Sequence, residues 1–161
     1  MVNCIKKSRE PKSININFTA METTENKLLV KRYTEEVINT GNIENISEFI
    51  ALDYVEVFNN ERYSLGIDGA KKHVFGVRET YPDLKLEINQ QLAEGDWVVT
   101  CYTMTGTHSG TWMNMKPTGK RLVVTGVNID KVVNGKIVEH SGAANLFNAF
   151  LEIGAVKIVE S

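Results

Sequence analysis

The chain has 161 residues, of which 42% are hydrophobic and 24% are charged, a composition typical of one soluble globular domain. Its formal net charge is −2, so it lacks the clustered basic charge that nucleic-acid binding requires. No apolar run approaches the ~20 residues of a membrane span, and Cys4 and Cys101 match no metal or redox spacing. We therefore expect a cytoplasmic protein that needs no metal or other cofactor and has no nucleic-acid or membrane partner.

The segment 1–23 differs from the rest of the chain. It is rich in Lys, Ser and Asn and shows no sustained hydrophobic period. We expect a disordered or loosely packed leader there, followed by one domain over residues 24–161. Thr23 or Thr24 is suited to cap the first helix, with Glu25 close to its positive end.

Helical periodicity begins directly after this segment. Leu29, Tyr33 and Val37 follow one another at i, i+4 and i+8, which predicts a helix with one apolar face. Gly41 is expected to end that helix.

The next part of the chain mixes short helices and one strand. The pattern predicts a short helix over 43–50, a strand over 54–58 and a polar loop over 59–66. A longer helix is predicted over 68–80, ending before Pro82 because the residue before a proline avoids helical dihedrals.

After Pro82 the hydrophobic period changes to two, which predicts strands with one face toward water. Asn134-Gly135 is a strong signal for a tight hairpin turn, since both residues tolerate positive φ. The predicted strands cover 84–89, 97–107, 121–133 and 136–141, with a loop over 108–120 and a closing helix over 145–153.

Helices followed by a long antiparallel meander indicate an α+β fold. We expect three N-terminal helices packed on a strongly curved antiparallel sheet, which together form a cone with an internal pocket. Such a pocket is mostly apolar, with a few polar groups that orient a ligand.

Several segments carry a family resemblance. The most specific of them is MKPTGKRLVVTGVNIDKVVNGKIVEH, and the others are NKLLVKRYTEEVINTGN, DYVEV, YPDL, EGDWVV and GTHSG. In these segments the chain resembles the SnoaL-like polyketide cyclases, also called ester cyclase-related proteins, whose cystatin-like cone fold is shared with ketosteroid isomerase and nuclear transport factor.

The resemblance implies cofactor-free acid/base chemistry on a small hydrophobic carbonyl compound, by cyclisation or isomerisation. Asn145 stands where the resemblance places the catalytic Asp, and an amide cannot accept a proton at neutral pH. Two functions therefore stay open: such a catalyst, or a noncatalytic small-molecule-binding protein on the same scaffold. The resemblance also implies a homodimer formed through the exposed face of the sheet.

The candidate catalytic residues are His108, Asn145 and Glu139. His108 either contacts a ligand as donor or base or ties the following loop to the sheet. Asn145 either orients a ligand carbonyl or caps the last helix. Glu56 and Asp130 are further carboxylates, and strand parity does not decide which of them points inward.

The candidate ligand-binding residues are mainly aromatic. For Tyr33, Tyr54 and Phe75 the alternative is a packing role in the core. The loop with Trp112 and Met113 is expected to act as a hydrophobic lid or a dimer contact. His140 pairs with Glu139 only if its strand is bulged, because regular alternation puts neighbours on opposite faces. The set comprises Tyr33, Tyr54, Phe75, Trp112, Met113, His140 and Ser141.

Overall fold

A computed structural model describes residues 14–159 of the chain. Three α-helices and six strands lie within that range, and a π-helical turn, Thr34–Ile38, directly follows α1. The helices are α1 (Ile14–Tyr33), α2 (Gly66–Thr80) and α3 (Phe147–Ile153). The strands are β1 (Ile50–Phe58), β2 (Glu61–Ser64), β3 (Lys85–Glu94), β4 (Trp97–Thr107), β5 (Arg121–Val133) and β6 (Lys136–Asn145).

All six strands form one sheet in the order β2-β1-β6-β5-β4-β3. The predicted α+β class is confirmed, since three helices pack on a curved six-stranded sheet. Two details differ from the prediction. β1 pairs with β6 in parallel, so the sheet is mixed. The second of the three predicted N-terminal helices is only a 3₁₀ turn, Ile46–Glu48, whereas the predicted closing helix is present as α3.

Helix α1 begins at Ile14, so the prediction that it starts at Thr23 or Thr24 was wrong. Both threonine side chains instead donate a hydrogen bond to the carbonyl oxygen of Ala20 in the preceding turn, which is the way these residues are accommodated inside a helix. Residues 1–13 of the predicted leader lie outside the described residues, and the division into leader and domain stays a prediction.

The structure has only a 3₁₀ turn, Ile46–Glu48, where a helix over 43–50 was predicted. Ile50 already belongs to β1, and Ile46, Phe49 and Ile50 are all buried. The predicted polar loop over 59–66 also contains an edge strand, β2.

The strands in the second half agree closely with the sequence pattern. β4 and β5 have the predicted bounds, and the turn residues Asn134 and Gly135 have φ of 51° and 70°. β6 continues beyond Ser141 to Asn145.

Two clusters of buried side chains stabilise the domain. The first packs α1 and α2 on the sheet around residues such as Val37, Val74 and Ile137. The second packs α3 on the far end of the sheet around Leu122 and Ala149. Burying one such side chain contributes about 1.5–3 kcal/mol, and the first cluster surrounds the cavity described below.

Among the described residues, no helix has the length and apolar character needed to cross a membrane.

Candidate active site

A cavity of about 210 Å³ lies between the sheet and the helices α1 and α2. Its wall is largely apolar, with Val30, Ile38, Val74 and Leu86 among the lining residues. The polar side chains in the wall come from both helices, from the turn after α1 and from the strands. They are Tyr33, Thr34, Tyr54, His73, Arg78, Thr100, Tyr102, Asn128, Asp130 and His140.

Asp130 and His140 form a pair in this wall, in which the Asp130 side chain is 6% exposed and the His140 side chain 23%. They are direct register partners on β5 and β6, and His140 Nδ1 lies 2.8 Å from Asp130 Oδ1. An ionised carboxylate only accepts hydrogen bonds, so Nδ1 carries the proton and donates it. Nε2 has no hydrogen-bond partner among the described residues, and it is therefore the ring nitrogen that a molecule in the cavity would meet.

A β-bulge creates this pair. The ladder between β5 and β6 shifts between the pairs Val132↔Ile137 and Lys131↔Glu139, so that Val138 has no partner. Without the extra residue, regular alternation from Ile137 would turn Glu139 toward the cavity. With it, His140 faces the cavity instead.

The surroundings of His140 favour its charged form. Burial alone would lower the pKa of His140, but the hydrogen bond and charge of Asp130, together with the charge of Glu56, outweigh burial. The net effect raises the pKa above the ordinary histidine value. His140 is therefore a stronger base than a free imidazole.

A second carboxylate–imidazole pair borders the first. Glu56 on β1 is the register partner of His140, and its carboxylate lies 3.1 Å from Nδ1 of His73 on α2. The hydrogen bond from His73 holds the pKa of Glu56 below its ordinary value, although burial opposes this. The side chain of His73 is 47% exposed, so the two pairs together extend from the cavity wall toward the surface.

Tyr33 and Tyr54 supply neutral hydroxyl groups. Burial, together with the charges of nearby carboxylates, raises the pKa of both side chains far above the ordinary tyrosine value. Both therefore stay protonated at any pH the folded protein meets. Neither hydroxyl has a hydrogen-bond partner among the described residues, which leaves both as donors toward the cavity.

Arg78 lines the cavity but mainly ties backbone segments together. Its guanidinium donates to the carbonyl oxygens of Ile38 at 3.0 Å, Asn39 at 3.2 Å and Pro82 at 2.8 Å. These contacts hold the end of α2 against the turn after α1. Arg78 forms no ion pair with a carboxylate among the described residues.

Three residues predicted for the site lie on the other face of the sheet. The register places Glu139, Ser141 and Asn145 opposite Lys131, Ile129 and Thr125 of β5, the strand positions that point away from the cavity. Glu139 binds Arg62 Nη2 there at 2.7 Å.

His108 also lies outside the cavity. It is fully buried and fixes the following loop, because its backbone N–H donates to Lys120 and its carbonyl accepts from Gly119. Its Nδ1 lies 3.1 Å from Thr118 Oγ1. The ring packs near Tyr81, whose pKa burial raises to about 12.

The loop residue Trp112 packs its ring against Phe150 and does not line the cavity. Met113 is 70% exposed at the tip of the turn, and Phe75 is 58% exposed on α2. The cavity therefore brings together three of the predicted residues, which are Tyr33, Tyr54 and His140.

The most informative residue that sequence reasoning left undecided is Asp130. Counting back from the Asn134-Gly135 turn gives the register of β5 and β6 only up to the bulge. The alternation of Asn128, Asp130 and Val132 marks one face of β5, but nothing in the sequence marks Val138 as the extra residue.

No group of three or more His, Cys, Asp or Glu side chains able to hold a metal ion occurs in the described part of the chain.

This fold and its cavity define an α+β protein with an internal pocket between a curved sheet and its helices. The chain belongs to the SnoaL-like polyketide cyclase family, whose sequence profile matches residues 28–153.

Two named cyclases are similar in sequence. The aklanonic acid methyl ester cyclase DnrD of Streptomyces peucetius is 25% identical over 135 residues, which cover 78% of this chain and 88% of the relative. The nogalonic acid methyl ester cyclase of Streptomyces nogalater is 30% identical over 104 residues, which cover 63% and 78%. The crystal structure of AclR, a candidate hydroxylase from Streptomyces galilaeus, superposes with a TM-score of 0.76 at 28% identity and covers 86% of this chain and 87% of AclR.

Proposed function

We propose that this protein is an acid/base catalyst that cyclises or isomerises a small hydrophobic carbonyl compound. The observation that carries the proposal is the Asp130–His140 pair in the wall of a largely apolar cavity. An imidazole oriented by a buried carboxylate, with its second nitrogen free, is the arrangement a general base requires. The named cyclases among its relatives support the same chemistry.

The proposed reaction begins at Nε2 of His140. This nitrogen takes a proton from a carbon next to a ligand carbonyl, and the electron pair moves onto the carbonyl oxygen as an enolate. Asp130 stabilises the imidazolium that forms. The hydroxyl groups of Tyr33 and Tyr54 are donors suited to the negative oxygen.

Two outcomes follow from the enolate. In a cyclisation, its carbon attacks a second carbonyl carbon of the same molecule, one carbon–carbon bond forms, and the imidazolium returns its proton to the new alkoxide. In an isomerisation, the proton returns to a different carbon of the conjugated system. Both reactions leave His140 neutral and consume no other reagent.

The proposal can be tested without knowing the natural substrate. β-Tetralone is a two-ring ketone, and exchange of its α protons in D₂O, followed by NMR, reports proton abstraction alone. We expect the protein to accelerate this exchange above the buffer rate. His140→Gln should reduce the acceleration by a factor of about 10² or more.

His108→Gln is the matched control, since it makes the same substitution at a buried histidine outside the cavity. It should retain the exchange activity of its folded fraction. Exchange at the buffer rate with the intact protein, or unchanged exchange in His140→Gln, would reject the proposal.

The alternative is a noncatalytic binding protein, for which the apolar wall is the supporting observation. That function predicts that β-tetralone shifts the NMR signals of His140 while its exchange rate stays at the buffer value.

We also propose a homodimer that pairs through the sheet face opposite the cavity, and a cytoplasmic location. Trp97, Val123 and Ile129 are 39%, 58% and 37% exposed on that face and give it an apolar character. Sedimentation equilibrium tests the dimer, and Val123→Lys should shift it toward monomer. Cell fractionation tests the location.

A further inference from the structure

Tyr102 on β4 lies next to a glycine on the face of the sheet that lines the cavity. Its register partner on β5 is Gly126, whose own partner on β6 is Ala144. A Cβ atom on Gly126 would overlap the Tyr102 hydroxyl and the ring carbon that carries it. The glycine therefore lets the tyrosine ring lie flat over β5 and reach toward β6.

The position of this ring matters for the volume of the cavity. Tyr102 lines the cavity, whereas Gly142 and Ala144, which continue the same face on β6, are exposed. The ring therefore lies between the cavity around His140 and the strip formed by the exposed small residues Gly142 and Ala144.

The cavity is small for a ligand site. A volume of about 210 Å³ lies below the roughly 300–1,000 Å³ of pockets that hold drug-sized ligands. A volume below that range favours compact ligands over drug-sized ones.

We infer that Tyr102 sets the size of ligand that reaches His140, and that the ligands are compact carbonyl compounds of about two fused rings. The inference rests on the proposed function, because it takes the cavity as the ligand site. The ring of Tyr102 closes the cavity toward the strip at Gly142 and Ala144, and a third fused ring collides with it. Loss of the ring joins the cavity to the strip.

The test compares β-tetralone with anthrone, a three-ring ketone, and follows the His140 ring signals by NMR to obtain dissociation constants. We expect the intact protein to bind anthrone at least about tenfold more weakly than β-tetralone. Tyr102→Ala should tighten anthrone binding by about tenfold or more relative to β-tetralone binding. Tyr102→Val is the second variant, because valine removes the ring and favours a strand.

Two controls separate size from other effects. Tyr102→Phe keeps the ring without the hydroxyl and should keep the preference for β-tetralone. Tyr63→Ala makes the same truncation on the exposed strand β2 and should change neither affinity.

Equal binding of both ketones by the intact protein would overturn the inference, and so would unchanged anthrone binding in folded Tyr102→Ala or Tyr102→Val. Either result leaves the proposed function standing if β-tetralone exchange still depends on His140. Failure of both ketones to perturb His140 in every variant would overturn the inference and remove the ligand site from the proposed function.

Discussion

The two histidines that the sequence analysis singled out on strands or at their ends, His140 and His108, lie in regions of the molecule with opposite chemistry. His140 has a carboxylate on one ring nitrogen and cavity space at the other. His108 is fully buried among aromatic rings, and its Nε2 has no hydrogen-bond partner in the described part of the chain. Burial of an imidazole therefore does not make a base, because a base also needs a partner for the charge and access to a ligand.

The comparison predicts that substitution of His108 mainly lowers stability, whereas substitution of His140 mainly lowers activity. His108→Ala removes a fully buried ring and its contact with Thr118, so it should lower the free energy of unfolding by about 2–4 kcal/mol. The exchange activity toward β-tetralone per folded molecule should change less than about twofold.

His140→Gln should do the reverse, with a loss of activity of about 10²-fold or more and a smaller loss of stability. Urea unfolding and NMR exchange measured on the same two samples check this. A loss of activity in folded His108→Ala as large as that in His140→Gln would contradict the comparison.

The Asp130 carboxylate is the second feature that distinguishes His140 from His108. Asp130→Asn takes away the interaction that holds the His140 pKa up and leaves burial, which lowers it. NMR titration of the His140 ring should therefore give a pKa below that of the intact protein. The exchange rate should fall by about tenfold or more, because a less basic imidazole without its carboxylate abstracts protons more slowly.

The same variant has a consequence for stability. Because the folded pKa of His140 is raised, its interaction with Asp130 contributes full stability below the unfolded value of about 6.5. That contribution is lost as the pH rises through the folded pKa. Urea unfolding at about pH 5.5 and about pH 8.5 should show this dependence in the intact protein and a weaker one in Asp130→Asn. A pH dependence that Asp130→Asn leaves unchanged would show that other groups cause it.

The sequence predicts the secondary structure correctly where the local pattern and the tertiary packing agree. The alternating strands and the Asn134-Gly135 turn are local features, and they were predicted with the bounds that β4 and β5 have. The segment 43–50 has a helical pattern, but the sheet takes Ile50 and leaves only a short turn. Local periodicity could not show this, because the buried environment that decides it comes from α2 and β6.

The candidate site shows the same limit more sharply. Tyr33, Tyr54 and His140 were predicted as ligand-binding residues, and all three line the cavity. Asn145 was selected because the family resemblance places the catalytic Asp there, and Glu139 because it precedes His140, but the bulge at Val138 reverses the faces of every residue after it. The unpaired residue Val138 thus places His140, and not Glu139, opposite Asp130 in the cavity wall. Such a bulge has no signature in a single sequence.

A smaller effect is expected from the second carboxylate near His140. Glu56→Gln removes a charge that contributes least among the effects on the His140 pKa, and it also breaks the contact with His73. NMR titration should show the His140 pKa lowered by less than in Asp130→Asn. The exchange rate should fall by less than about threefold. A larger effect than that of Asp130→Asn would make Glu56 the main partner of His140.

The smallest effect is expected at Glu139, the neighbour of His140 in sequence. Its carboxylate binds Arg62 on the other face of the sheet, and water and salt screen a contact with a side chain as exposed as Arg62. Glu139→Gln should therefore leave the His140 titration curve unchanged and alter the exchange rate less than about twofold. Because Glu139→Gln and Glu56→Gln make the same chemical change near the same histidine, the pair tests on which face of the sheet each carboxylate lies. If Glu139→Gln lowered the His140 pKa as much as Asp130→Asn, Glu139 would be a main partner of His140, and the placement of these two side chains on opposite faces would be wrong.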